Sequence, residues 1–396
     1  MQISTSRLVL FVGGVFAAES AFFAVVPPLV PQLVRDVGLT TPEVGVLVAA
    51  YPAGVLLAAI PSMALVDRRG VRVATLAGIG VLIAATLGFA WGTNAVLLDA
   101  ARFVQGVGGA VAWAGALAWL TSTTAPARRG SVIGGAIGAA LVGMVFGPAA
   151  GAAASQLGRG PVFSALAVVL LLLALAAPGS APASIARRGS VQALIRLIRS
   201  RRAAIGNSLL AVIGIVGGTV WSLLPLLVAQ RHGGSEVIAA ILAFGYLLAA
   251  VLNIFVGRLS DRIGRRTPTL VGLAIAALLL PTLPTFNSLM LLALVSVITQ
   301  ATVAALWTPT AAMVSDGSEV GAAGQAVGVA TMNAAWAAGG AVGPILAARL
   351  AEAAGFNLPF ALAGGVCAAG ALVLLLTYRR REEPERVTDE APATRS

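Results

Sequence analysis

The sequence contains no lysine, a single cysteine, Cys367, and a single histidine, His232. One cysteine makes no disulfide within the chain, and one cysteine with one histidine does not complete a four-ligand zinc site. A disulfide scaffold and a zinc enzyme are excluded, and no metal or other cofactor is expected. Charge is scarce as well: 10% of the 396 residues are charged, where a soluble chain carries about a quarter. A channel filter, a ring of like charges and a nucleophile paired with a base are also missing, so neither a channel nor an intramembrane hydrolase is indicated. The chain is not read as an enzyme.

What is present is apolar. Hydrophobic residues make up 58% of the chain, more than a soluble fold of this length can hide. A membrane-crossing helix takes about 20 mostly apolar residues for about 30 Å of hydrocarbon. Runs of that kind lie near 8–33, 44–66, 73–91, 95–120, 131–155, 161–177, 203–229, 237–257, 268–286, 288–314, 322–348 and 356–378. The first run has the place of a signal peptide, but it holds Glu19 and Pro27-Pro28 and further runs follow, so it is read as a retained helix. The expected fold is an all-α membrane protein of twelve helices in two pseudo-symmetric six-helix bundles.

All 26 basic residues are arginine, and together with abundant alanine, glycine and valine this points to a GC-rich bacterial genome. The net charge of +11 sits in short segments between apolar runs and forms no continuous surface, so nucleic acid is not an expected partner. Twelve spans put both termini on one side. With that side cytoplasmic, 21 arginines lie inside and four outside, as the positive-inside bias requires. A multi-pass, monomeric protein of the bacterial inner membrane, with both termini in the cytoplasm, is expected.

The chain divides into a first bundle (1–178), a cytoplasmic linker (179–203) with an amphipathic helix at Val191–Arg199, a second bundle (204–378) and a charged tail (379–396) that is expected to be disordered. The bundles repeat one another. Asp67-Arg68-Arg69-Gly70-Val71-Arg72 returns 194 residues later as Asp261-Arg262-Ile263-Gly264-Arg265-Arg266. Gly143, Gly147 and Pro148 return 196 residues later as Gly339, Gly343 and Pro344. Two unrelated signals with nearly one offset indicate a parallel tandem duplication.

On these residues the chain resembles the major facilitator superfamily. Gly257-Arg258-Leu259-Ser260-Asp261-Arg262-Ile263-Gly264-Arg265-Arg266 is similar to its loop signature in full, while the first copy has Met63 in the glycine place and Val71 in an arginine place. The resemblance implies that these loops latch the halves together on the cytoplasmic side, through Asp67, Arg68, Gly70 and Arg72 and through Asp261, Arg262, Gly264, Arg265 and Arg266. Arg102-Phe103-Val104-Gln105-Gly106-Val107-Gly108-Gly109 resembles the fourth-helix signature of proton-coupled members. Gly134, Gly143, Gly147-Pro148 and Gly151 resemble the fifth-helix signature of the twelve-helix drug/proton antiporter branch, with Ala152 in place of its last glycine. Such glycines permit close helix approach and the proline a bend, so Gly143, Gly147, Pro148, Gly343 and Pro344 are candidate hinge or seam residues.

An arginine inside a span costs about 2.5–3.5 kcal/mol on insertion scales and needs a partner or water. Asp99 stands one turn before Arg102. Glu19 is the other candidate: about 1.5 Å of rise per residue puts it about 18 Å from the cytoplasmic surface and Arg102 about 12 Å from the outer one, so their depths coincide. A carboxylate whose setting alternates between an arginine and an apolar wall binds and releases a proton, so Glu19, Asp99 and Arg102 are the candidate proton-coupling residues.

Helical spacing puts Gln105 and Trp113 on the face of Arg102, with Trp113 expected beside it, and Phe16, Phe22 and Phe23 on the face of Glu19. Phe16, Phe23, Gln105, Trp113, Trp221, Gln300 and Trp307 are the candidate substrate residues, suited to a lipophilic or cationic compound. The expectation is a secondary active transporter that exports a small amphipathic or drug-like compound in exchange for protons, by alternating access. The alternative is a proton symporter or uniporter that imports a metabolite such as a sugar or organic acid, since Arg102 equally suits an anion.

Overall fold

The computed structural model describes residues 5–125, 129–179, 197, 199–318 and 322–377, and these are helical with no strand among them. Twelve spans run in order. The first, α1 (Thr5–Ala24), continues through a 3-10 turn at Pro27–Leu29 and a short helix at Val30–Val37. There follow α2 (Thr41–Arg69), α3 (Val71–Trp91), α4 (Ala95–Thr123), α5 (Arg129–Leu157) and α6 (Arg159–Leu175). The second half comprises α7 (Arg201–Gln230), α8 (Ser235–Ile263), α9 (Arg266–Leu279, with a 3-10 end Leu280–Thr285), α10 (Leu289–Ala305 and Trp307–Gly317), α11 (Ala322–Ala354) and α12 (Asn357–Thr377). Eleven of these are long and apolar enough to cross a membrane, and the remaining one, α6, is an apolar helix of 17 residues. The expected linker helix at Val191–Arg199 lies outside the described residues apart from Leu197 and Arg199, as does the tail from Arg379.

Local chemistry fixes where these helices begin and break. Thr40 and Glu43 form a capping box that starts α2, and the Asn94 side chain accepts from the Leu97 amide to start α4. Proline sets the interruptions, which the sequence reading had run through as continuous spans. Pro27 and Pro28 supply no N–H for the carbonyls of Phe23 and Ala24, so α1 stops at Ala24. Pro309 leaves the Ala305 carbonyl without its helical donor, and α10 breaks at Leu306.

The tandem duplication is visible as repeated packing. A Cβ built on Gly143 of α5 lies 2.0 Å from the Ala17 carbonyl oxygen of α1, and one on Gly339 of α11 lies 2.0 Å from the Ala211 carbonyl oxygen of α7. Gly147 meets Ala21 as Gly343 meets Ile215, at 2.5 Å from each carbonyl oxygen. Only glycine lets these helix pairs approach so closely, and in lipid such packing takes the place of a hydrophobic driving force. Leu10, Ile60, Phe146, Phe244, Phe255 and Leu346 cover the outside, an apolar exterior suited to acyl chains.

The halves meet near the arginine-poor end. Gly45 of α2 lies against Pro344 and Ala348 of α11, Pro52 against Gly340, and Leu226 of α7 packs on the first-half cluster around Val25, Leu29 and Leu33. These contacts close the space between the halves at the arginine-poor end.

Close packing makes a definite prediction at Gly106, where an added Cβ would fall 2.0 Å from the Tyr51 carbonyl oxygen of α2. Gly106→Ala should destabilise the detergent-purified protein by about 1–3 kcal/mol, as overpacking does. Gly80→Ala, with nothing within 4 Å, should leave the melting temperature unchanged or raise it. Equal melting of the two variants would contradict the packing.

Candidate functional site

The break in α1 decides the surroundings of Arg102. A helix end leaves its last carbonyls without donors, and the prolines prevent the following residues from supplying them. The Arg102 guanidinium supplies donors there: Nη2 donates to the Phe23 carbonyl, freed by Pro27, at 3.5 Å, and Nη1 to the neighbouring Phe22 carbonyl at 2.8 Å. Nη1 also donates to Gln105 Oε1 at 2.9 Å, and Gln105 Nε2 donates in turn to the Thr86 hydroxyl of α3 at 3.2 Å. The cation thus stands at the negative end of the α1 dipole, and only 2% of its surface is exposed.

Glu19 and Arg102 form no ion pair and are not level as expected, since Glu19 packs against Gly109, about two turns along α4 from Arg102. Tyr51 of α2 stands between them. Its hydroxyl donates to Glu19 Oε1 at 2.6 Å, and its ring carries the Arg102 guanidinium 4.7 Å from the centroid. The Ser20 hydroxyl donates to Glu19 Oε2 at 3.4 Å. The expected direct Glu19–Arg102 contact is thus corrected to a contact through a phenol, because the α1 carbonyls have already engaged the guanidinium. Asp99 is half-buried toward the arginine-poor end, with Glu43 as its charged neighbour, and forms no ion pair with Arg102.

Aromatic rings from both halves surround this group. Phe23 of α1 meets Trp221 of α7 edge-on at 4.4 Å between centroids, Trp336 of α11 at 5.2 Å and Tyr51 at 5.5 Å. Trp307, turned by the break in α10, meets Trp336 at 6.4 Å. Trp113 stacks on Phe16 at 3.7 Å with the rings 4° from parallel. It is not beside Arg102 as expected, since eleven residues of helix separate the two by about 16 Å. Glu19, Trp113, Met144, Trp221, Trp307 and Trp336 are all partly exposed although they belong to helices at the midline, so they line a chamber between the halves. Gln105 and Gln300 do not reach it. Gln105 is fully buried on Arg102 and Thr86, and Gln300 is buried against Gly245.

The second half repeats this site without its charges. Tyr51 and Gln105 recur 195 residues on as Tyr246 and Gln300. At the same offset Arg102 corresponds to Val297, and the glycine contacts align Glu19 with Ile213. Sequence reasoning missed Tyr51 and Trp336. The shared offset of both Tyr–Gln pairs was the available signal for Tyr51, in a chain with three tyrosines. For Trp336 there was none.

The two loop copies take one conformation. Gly70 and Gly264 have φ of 85° and 90°, a region in which side chains are strained, so glycine is needed at both turns. Arg72 Nε donates to the Pro178 carbonyl at 3.0 Å, and Arg266 Nη2 to the Leu375 carbonyl at 2.9 Å, tying each loop to the end of the sixth and twelfth spans. Asp67 and Arg68 are exposed. Arg265 pairs with Asp261 and, at 3.4 Å, with Asp316 at the end of α10. Burial disfavours the Arg265 charge, but the hydrogen bond it donates to Asp261 and the nearby Asp316 carboxylate outweigh this and raise its pKa. Gly143 and Gly147 form the α1–α5 seam with Pro148 buried next to them, while Gly343 and Pro344 form the α7–α11 seam, where Pro344 also touches α2.

Comparison with known proteins follows the same lines. A family model described as Major Facilitator Superfamily matches residues 11–233 and again 206–396. The fold is similar to crystal structures of a bacterial homologue of the human lysosomal transporter Spinster, in inward-facing unoccupied and occupied conformations. The TM-scores are 0.74 and 0.78 at 17% identity, over 95% of this chain and 96% and 97% of theirs. No curated protein matches the chain.

If Arg102 serves to cap α1, Arg102→Met should cost about 2 kcal/mol or more in stability, by stranding two buried carbonyls and Gln105. Arg102→Lys, with one point donor in place of a fork, should recover part of it. Thermal unfolding in detergent measures both, and an Arg102→Met protein as stable as the parent would contradict the capping role.

Proposed function

The chain belongs to the Major Facilitator Superfamily, and from that premise we propose that it exports a small amphipathic cation in exchange for protons. Superfamily members are transporters that work by alternating access and embed in the membrane. The observation that carries the finer reading is Glu19, a partly exposed residue whose carboxylate is enclosed without an ion pair, set among tryptophans of both halves, while the cation nearest to it is sealed away.

Charge decides the cargo. Arg102 donates through Nη1 and Nη2 to α1 carbonyls and Gln105, its Nε is buried without a partner, and only 2% of the residue is exposed, so the guanidinium is sealed from an anion in the chamber. An organic acid is accordingly disfavoured. A sugar would need polar walls, whereas Gln105 and Gln300 face the bundle interior. A lipophilic cation finds one carboxylate and four tryptophan faces, at Trp113, Trp221, Trp307 and Trp336.

Charge also supports exchange. An ionised Glu19 enclosed without a counter-charge costs several kcal/mol, so the halves rock readily only when a proton or a cationic substrate neutralises it. A proton and a cation then compete for one carboxylate, and each crosses in the opposite direction to the other. With the arginine-rich end in the cytoplasm of a bacterial inner membrane, the chamber opens toward the inside to load substrate, and outside protons drive its release. The α1–α5 and α7–α11 seams keep each half rigid while the halves rock, and the Asp67 and Asp261 loops act as the switch. A monomer contains all of these parts.

Proteoliposomes with an imposed pH gradient and a lipophilic cationic dye such as ethidium test this reading. The parent protein should accumulate dye against its gradient, and Glu19→Gln should lower that accumulation about ten-fold or more, since a lost charge-assisted contact amounts to about 1.5–3 kcal/mol. Gradient-driven transport that survives intact in Glu19→Gln would overturn the assignment and pass the role to Asp99. Dye and protons moving in the same direction would establish a symporter instead.

A further inference from the structure

Tyr51 belongs to neither half of the exchange just described, yet it touches every part of it. The residue is fully buried, and its backbone is held because Gly106 of α4 packs directly on its carbonyl oxygen. Its hydroxyl reaches Glu19 on α1, its ring supports Arg102 from α4, and its edge meets Phe23, which stands between Trp221 and Trp336 of the other half. The next residue, Pro52, lies against Gly340 of α11, and about two turns earlier Gly45 lies against Pro344 and Ala348. One segment of α2 therefore carries both the hydrogen-bond partner of the carboxylate and the seal at the arginine-poor end.

We propose that Tyr51 is a positioning residue whose hydrogen bond to ionised Glu19 locks the α2–α11 seal, and that neutralising Glu19 with either a proton or a cation releases it. The inference rests on the exchange reading above and adds the device that enforces it. A hydrogen bond to an ionised acceptor is about twice as strong as one between neutral groups, so the lock weakens when the carboxylate is neutralised, whichever ligand does so. An empty, ionised carrier stays shut at the outer end, which is the condition an exchanger must meet to avoid slipping. Among the described residues, the titratable or charged groups facing Glu19 are Tyr51 from α2 and Arg102 from α4. Met144, Trp221 and Trp336 of α5, α7 and α11 stand around Phe23 and Tyr51 and carry no charge.

Tyr51→Phe removes the hydroxyl and keeps the ring against Phe23 and Arg102, so melting should stay near that of the parent. Ala348→Cys, fully buried in the seal, reports its opening to a membrane-impermeant maleimide added from the arginine-poor side, and the native Cys367 is buried. With Tyr51 intact, labelling should rise about ten-fold on acidification or on adding ethidium. In Tyr51→Phe it should be high at every pH and insensitive to dye. In proteoliposomes without the added cysteine, the same variant should retain dye-for-dye exchange and lose uphill accumulation about ten-fold. Labelling of Tyr51→Phe that still follows pH as in the parent, or full uphill accumulation, would overturn the lock. Glu19→Gln separates the two levels: if it remains fully gradient-driven the exchange reading itself fails, whereas if it is uncoupled while Tyr51→Phe behaves as the parent, only the lock fails.

Discussion

Two carbonyl oxygens at the broken end of α1 govern the rest of the site. Pro27 and Pro28 deprive the helix of its closing donors, and in a membrane interior no water is at hand to replace them. Arg102 meets that need, which accounts for an arginine deep in a span without an acid against it. Its charge is absorbed by a helix end and an amide, so it is unavailable to substrate and only indirectly available to Glu19. The acid then depends on hydroxyls, of Tyr51 at 2.6 Å and Ser20 at 3.4 Å, and faces the chamber as its one unpaired charge among the described residues. Had α1 run straight through, the guanidinium would have been free to pair with Glu19, and proton and cargo would no longer compete for one group.

The duplication supplies mechanics twice and chemistry once. Glycine seams, loop turns at Gly70 and Gly264, and arginine ties at Arg72 and Arg266 repeat between the halves, so both can move against each other as similar rigid units. The charged pair does not repeat: Ile213 and Val297 stand where Glu19 and Arg102 stand in the first half. The second half contributes aromatic faces instead, at Trp221, Trp307 and Trp336. A charged wall opposite an aromatic wall suits a cation with an apolar body better than any ligand that needs polar groups all round.

Much of this was legible beforehand. Twelve spans, the repeat offset and the loop and seam motifs follow from composition and spacing, because apolar length and glycine position act locally. Depth estimates brought Glu19 and Arg102 toward one region but set them level, whereas Glu19 packs on Gly109, about two turns along α4 from Arg102. What spacing does not carry is direction around the helix and the use of backbone as a partner. The backbone acceptors of Arg102 are carbonyls at a helix end set by Pro27, 75 residues earlier in the chain, and carbonyls leave no mark in a side-chain pattern. Tyr51 read as one more apolar residue of α2, and Trp113 was put beside Arg102 by a face count that ignored the length of helix between them.

The central claim is that proton and substrate displace one another from Glu19. Purified protein in weakly buffered detergent, titrated with ethidium and a pH indicator, tests it without any gradient or vesicle. The account predicts that each cation bound releases a proton, and that Glu19→Gln releases none. Cation binding without proton release in the parent across the accessible pH range, or release that persists in Glu19→Gln, would contradict it.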